Sequence, residues 1–347
     1  MEVSQLQENH SVLYCYYSGD VLCIKEIRAT SVSVILYLFA AVVVMLTFFG
    51  NLVVIISISH FKQLHTPTNI LVLSLAVADF FVGLFIMPFM VIQSIETCWY
   101  FGNIFCLIYT MLLYILTETS IFNLVMIAID RYLALCDPLL YSTKITVRVA
   151  TFSVGLIWFL SLCYTCALLF SNGNTEGIIG LDPCPGDCLV VLNSTWGTLD
   201  LVCSFLLPVS IMITLYAKIF VVAKRHIRAI STQQKVFTEK SRNKLAKKSE
   251  RKAAKTLAIV VAVFILCWLP FYISTILNQF LNLSIPSTIA CGFLWLAYIN
   301  SSLNPIIYAF FYPWFQKSLK LMVTFKIFSS SLINLFPDKQ HCIGGST

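Results

Sequence analysis

Apolar residues run along this chain in long, nearly unbroken stretches, unlike the short alternations or narrow stripes of a soluble fold. Seven stretches reach the roughly 20 residues that a helix needs to cross a hydrocarbon core of about 30 Å. They are Val32–Ser59, Thr68–Ile95, Asn103–Leu135, Arg148–Phe170, Trp196–Lys224, Lys255–Phe280 and Ser287–Phe311. Pro88, Pro208, Pro270 and Pro305 fall inside them. Prolines are tolerated in such helices where neighbours re-satisfy the backbone, and they predict kinks. Beyond the last stretch, Pro313 to Phe325 carries Trp314, Phe315, Lys317 and Lys320 and reads as an amphipathic helix on a membrane surface. The pattern predicts an all-α membrane protein whose seven-transmembrane helix bundle occupies residues 32–311. An extracellular N-terminal segment, 1–31, precedes it, and the short amphipathic helix with a cytoplasmic tail, 312–347, follows. Residues 1–31 lack the apolar core of a cleavable signal, so the first span is expected to act as signal anchor.

Composition agrees with the pattern. The chain is 59% hydrophobic and 11% charged over 347 residues, and a soluble domain of that size cannot hide so much apolar surface. Charge then sets the orientation. Only Lys25 and Arg28 fall in the segments assigned outside, whereas a dense basic run extends from Lys218 to Lys255 on the other side. Cytoplasmic loops collect lysine and arginine, so the N-terminus is predicted outside and the C-terminus inside. The net charge of +7 is therefore a topology signal and gives no support to nucleic-acid binding. The run Lys240 to Lys255 is consistent with a solvated helix extension, a lipid-surface patch or a partner-binding face. Sequons at Asn9, Asn193 and Asn282 all fall on the predicted outer side, as glycosylation requires.

Among the 13 cysteines, Cys15, Cys23, Cys98, Cys106, Cys184 and Cys188 lie outside or at the outer rim and can oxidise. The histidines stand at loops or helix ends, so no metal cluster is expected. There is no nucleophile–base pair for an enzyme, no internal repeat for a transporter and no charged ring for a channel filter.

Polar residues inside spans are costly and usually functional. Here they recur once per span: Asn51 after Gly50, Asp79 after Leu75-Ala76-Val77-Ala78, Asp130-Arg131-Tyr132, Trp158, Pro208 with Tyr216, Phe264 through Cys267-Trp268-Leu269-Pro270, and Asn304-Pro305-Ile306-Ile307-Tyr308. The set resembles the rhodopsin-like (class A) G-protein-coupled receptors. The run from Asn300 to Phe315, together with Phe61 to Asn69 and Cys98-Trp99-Tyr100-Phe101-Gly102, narrows the likeness to the trace amine-associated receptors.

The resemblance implies an olfactory-type receptor that binds mono- or diamines among its helices. It also implies a heterotrimeric G protein of stimulatory or olfactory type as partner, raising cyclic AMP. A non-olfactory monoamine receptor is the alternative. Asp130, Arg131, Tyr132, Tyr216, Trp268, Asn304, Pro305 and Tyr308 carry the switch in such a receptor. Asp79, Ser120, Asn300 and Asn304 are the implied site of an allosteric sodium ion, and no other cofactor is expected. The family further implies a disulfide between Cys106 and Cys188, and a second from the N-terminal segment to the same loop. Cys23–Cys184 is taken for the second, with Cys15 as the competing partner.

One departure stands out. Most amine receptors of the class carry an aspartate seven residues after the disulfide cysteine, and here that position is Leu113. Asp200 offers a replacement, eight residues before Pro208 and so about 12 Å up the fifth span. Fish-type members of the family, which this chain resembles, carry an acid there. Glu118, one turn after Tyr114, is a second acid on a face turned towards the fifth span in the family geometry. The pair is expected either to bind one ammonium jointly or to contribute to diamine recognition. Trp268, Phe271, Tyr272, Trp295 and Tyr298 are candidates for an aromatic cage, and Leu113, Tyr114, Thr117, Cys203 and Ser204 for the remaining wall.

Overall fold

The computed structural model describes residues 13–15, 23–25, 28–171, 188, 192–232, 240–281, 283 and 285–324, with only the backbone described for 13–14, 23–25, 226–232, 240–253, 279, 313–314 and 323. Asn9, Cys184 and Asn282 lie outside the described residues.

The helices in chain order are α1 (Thr30–His60), α2 (Pro67–Glu96), α3 (Gly102–Cys136), the short α4 (Pro138–Lys144), α5 (Val147–Phe170), α6, α7 (Lys240–Leu281), α8 (Ser287–Phe311) and α9 (Pro313–Val323). In α6 an α-helical turn, Ser194–Asp200, passes through a π-helical segment, Leu201–Leu206, into Leu207–Thr232. Their starts are written in the sequence. Side chains of Thr66, Asp137, Thr146 and Asn193 each accept from a backbone N–H in the first turn of α2, α4, α5 and α6. Proline follows the cap directly in α2 and α4, where its missing N–H leaves nothing unpaired.

Six of the described helices are apolar and long enough to cross a membrane by length and composition. The seventh crossing, α8, has 25 residues but carries Asn300, Ser301, Ser302 and Asn304. All four are buried, so the polarity that lowers its hydropathy faces protein and not lipid. The helices α1 to α3 and α5 to α8 form the bundle. The central α3 packs against α2, α5, α6 and α7, while α8 closes the ring between α7 and α1.

Prolines leave carbonyls without partners, and the chain answers in two ways. In α8, Pro305 has no N–H to offer the Ser301 carbonyl one turn earlier, and Asn51 Nδ2 of α1 donates to that carbonyl at 3.1 Å. Beside it, a Cβ on Gly50 would stand 2.9 Å from Pro305 Cβ, so the absent side chain is what lets α1 and α8 approach. Pro88 and Pro208 instead follow π-helical segments, Val82–Ile86 and Leu201–Leu206, which absorb the lost ladder bond by widening one turn.

Two features of the outer end do not follow from the span pattern. Leu13–Cys15 and Cys23–Lys25 form a short antiparallel strand pair. Cys15 is disulfide-bonded to Cys98, at the start of the link between α2 and α3. This corrects the expectation that Cys15 competes for Cys184, because its sulfur is already committed. The Cys106–Cys188 bond is present. At the inner end, α7 begins at Lys240, well before the apolar stretch, so the basic run is a helical extension of the span.

Candidate functional site

Three polar clusters lie along the bundle axis. The first sits in its outer half. Asp200, seven residues into α6, accepts through Oδ1 from the Tyr164 hydroxyl of α5 at 3.0 Å and from Ser204 Oγ, one turn on, at 3.2 Å. Ser204 Oγ also lies 3.3 Å from Tyr164 Oη, closing a triangle of the three groups. Glu118 of α3 is 2% exposed and shares Ser204 as a neighbour. Its Oε2 has no hydrogen-bond partner among the described residues.

Tyr114 and Tyr272 are close enough to feel both carboxyls. Neither acid has a lysine or arginine beside it among the described residues. Two carboxyls in a low-dielectric bundle without a cation repel one another and attract any positive group that reaches them.

Below the acids lies a cluster of rings. Trp268 stands 5.9 to 6.1 Å, centroid to centroid, from Phe264, Phe271, Tyr272 and Tyr298. Phe205 stacks on Tyr272 at 4.2 Å. Trp295 is turned elsewhere. Its ring N–H donates to Ser94 Oγ of α2 at 3.1 Å, and it packs against Ala40, Val91 and Ile95, so it braces α8 against α1 and α2. Leu113 packs among apolar side chains of α2 and α3, and Cys203 is a half-buried free thiol.

The second cluster centres on Asp79, fully buried in α2. Its Oδ1 accepts from Ser301 Oγ at 2.8 Å and Ser120 Oγ at 3.4 Å, and its Oδ2 accepts from Asn304 Nδ2 at 2.7 Å. Asn300, expected in this set, makes no bond to Asp79. Its Oδ1 is unpartnered among the described residues, and it lines a small cavity under Trp268 with Thr117, Ser120 and Ser301. Ser301, three residues before Asn304, makes the bond instead. That spacing was available in the sequence, as was the lone tyrosine of the fourth span, Tyr164.

At the inner end Asp130 and Arg131 are paired, with Arg131 Nε donating to Asp130 Oδ2 at 2.9 Å. Thr68 Oγ1 donates to the same oxygen at 2.7 Å and Tyr141 Oη to Oδ1 at 3.1 Å. Arg131 Nη2 also reaches Thr68 Oγ1 and, at 3.3 Å, Tyr141 Oη. Burial first, and then the Asp130 charge, push the Tyr141 phenol above its ordinary value, so it stays protonated and remains a donor. Tyr216 and Tyr308 bring buried hydroxyls that have no partner among the described residues.

The chain as a whole is similar to known proteins. Residues 50–308 match the seven-transmembrane receptor family of rhodopsin type. Trace amine-associated receptor 13c of Danio rerio is 47% identical over 335 residues, covering 95% of this chain and 98% of that one. Trace amine-associated receptor 2 of Homo sapiens is 45% identical, with 92% and 90% covered. Trace amine-associated receptor 4 of Mus musculus is 43% identical, with 92% and 93% covered.

The chain belongs to the trace amine-associated receptors. As such it is a G-protein-coupled signalling receptor and not an enzyme, with a small-molecule ligand and a heterotrimeric G protein as partners. It is a multi-pass protein of the plasma membrane. Among the described residues of this trace amine-associated receptor, the outer acids and Asp79 have only neutral donors, while Asp130 has Arg131.

Proposed function

We propose that this receptor detects amines in an olfactory setting, that the ligand ammonium is anchored by Asp200, and that occupancy activates a stimulatory or olfactory-type G protein and raises cyclic AMP. One observation carries the reading: a buried carboxylate on α6, held by Tyr164 and Ser204 above the Trp268 rings, with no basic side chain beside it among the described residues. A ligand ammonium supplies the missing charge through a charge-assisted hydrogen bond and offsets the desolvation of the acid. Phe271, Tyr272 and Tyr298 offer ring faces to the same cation at about 0.5–2 kcal/mol each. The alternative, a monoamine neurotransmitter receptor, loses support from Leu113, which stands where such receptors carry their acid.

Signalling then runs down the bundle. Trp268, two residues before Pro270, touches the rings around the ligand on one side and Phe264 on the other. Movement of α7 releases Arg131 from Asp130 towards the G protein, and Tyr216 and Tyr308 are the buried hydroxyls that can receive it. Asp79, Ser120 and Ser301 present hard oxygen atoms, and the unpartnered Oδ1 atoms of Asn300 and Asn304 add two more, a donor set that suits sodium. A bound ion there would neutralise the buried Asp79 carboxylate. The N-terminus faces outward, glycans at Asn9, Asn193 and Asn282 decorate that side, and Cys23–Cys184 adds a second tie to the loop. The basic helix start and α9 lie against anionic lipid.

Cyclic AMP production across mono- and diamines, in cells expressing the receptor and its Asp200→Ala variant, tests the reading. An amine response that disappears in the variant, with surface staining unchanged, is expected. Silence of the native receptor towards every amine despite surface expression overturns it.

A further inference from the structure

Hydrogen bonds divide the oxygens of the two outer acids unequally. Tyr164 and Ser204 both donate to Asp200 Oδ1, and Oδ2 receives no hydrogen bond among the described residues. On α3, Glu118 Oε2 is likewise unpartnered, although the residue is 2% exposed. Ser204, hydrogen-bonded to Asp200, also neighbours Glu118, so the two carboxyls flank one serine. Each acid thus keeps one free acceptor, and the two acceptors belong to different helices. A group that satisfies both needs at least two N–H donors on one small cationic centre.

We propose that this pair is a clamp for a single primary ammonium, with one N–H to Asp200 Oδ2 and a second to Glu118 Oε2. Tyr164 and Ser204 are positioning residues that hold Asp200 from behind. The inference rests on the reading of Asp200 as the amine anchor and adds to it the valence of the nitrogen. A cation between two like charges turns their repulsion into two attractions. A primary or secondary ammonium can bridge the acceptors, whereas a tertiary one has a single N–H and a quaternary one has none. The common neighbour of the two acids, Ser204, also argues against each taking one end of a long diamine.

The measurement is a set of cyclic AMP dose–response curves for the most potent amine found in the screen above and its N-methyl, N,N-dimethyl and N,N,N-trimethyl forms. The native receptor, Glu118→Gln and Tyr164→Phe are compared at matched surface levels. For the native receptor, the half-effective concentration should rise about tenfold or more between the primary and tertiary forms, the effect of losing one hydrogen bond to a charged group. In Glu118→Gln that gap should shrink to about threefold or less, because the second charged acceptor has gone. Tyr164→Phe should weaken every form that binds by a similar factor, since it loosens Asp200 without altering the acceptor count.

A native receptor that responds equally to primary and tertiary forms overturns the clamp, even if Glu118→Gln fails to reach the surface. So does a Glu118→Gln receptor that keeps the full gap, and so does activity confined to diamines. In each of these cases the amine reading survives as long as Asp200→Ala is silent. Absence of any amine response overturns both.

Discussion

The bundle carries an acid near each end, and the two are treated in opposite ways. Asp130 at the inner end has Arg131 next to it in sequence, with Thr68 and Tyr141 completing its hydrogen bonds. Asp200 at the outer end has only neutral donors and a second acid, Glu118, for company. Burying a charge is expensive wherever it occurs, so each acid needs a cation or a proton. The inner acid finds its cation within the chain, as the proposed latch requires. The outer one has no such cation among the described residues, which is where the proposed ligand enters. In a bundle of this kind, the difference between a switch and a receptor site is whether the counter-charge is covalently part of the protein.

The comparison can be broken most severely by giving the outer acids a base of their own. Ser204→Lys places an ammonium between Asp200 and Glu118, and the half-effective concentration of added amine should rise about 100-fold or more, read by cyclic AMP at matched surface expression. Next in size is removal of the inner charge. Asp130→Asn leaves Arg131 buried without its partner, which costs about 3–5 kcal/mol. The purified receptor should melt at a lower temperature, and basal cyclic AMP should rise several-fold. An unchanged basal signal counts against the latch.

Smaller effects sharpen the picture. Thr68→Ala removes a donor to Asp130 but leaves the ion pair, and about 1 kcal/mol of stability should be lost, with a modest rise in basal signal. Tyr141→Phe deletes only the phenolic hydroxyl, and the shift in melting temperature should be the smallest of the series, near the average of about 0.6 kcal/mol for hydrogen bonds inside membrane proteins. A Tyr141→Phe effect larger than that of Asp130→Asn would invert the ranking and show that the latch is held by the short loop helix α4 and not by the ion pair.

The span pattern made the seven crossings legible, because lipid leaves a helix little choice about its outer surface. It said little about where α7 begins, since Lys240 to Lys255 leaves the apolar regime while still forming helix. The intramembrane acids Asp79, Glu118 and Asp200 announced themselves through their desolvation cost. Their neutral partners did not. Ser301 and Tyr164 are inexpensive in a bundle and common there, so only the fold reveals that they hold Asp79 and Asp200. Trp295 looked like any other ring near the pocket until its N–H was found on Ser94. Disulfide connectivity was equally beyond the sequence: Cys15 could have reached several sulfurs, and the fold brings it to Cys98.

The widened turn Leu201–Leu206 has a consequence for how such pockets diversify. One extra residue in a helix of 3.6 residues per turn shifts the phase of everything before it by about 100°. The half of α6 that follows Pro208 keeps its facing. The half that precedes it, with Asp200 and Ser204, is dialled independently. A single insertion or deletion within that turn would therefore re-aim the acid to a different neighbour while leaving the transmission side untouched.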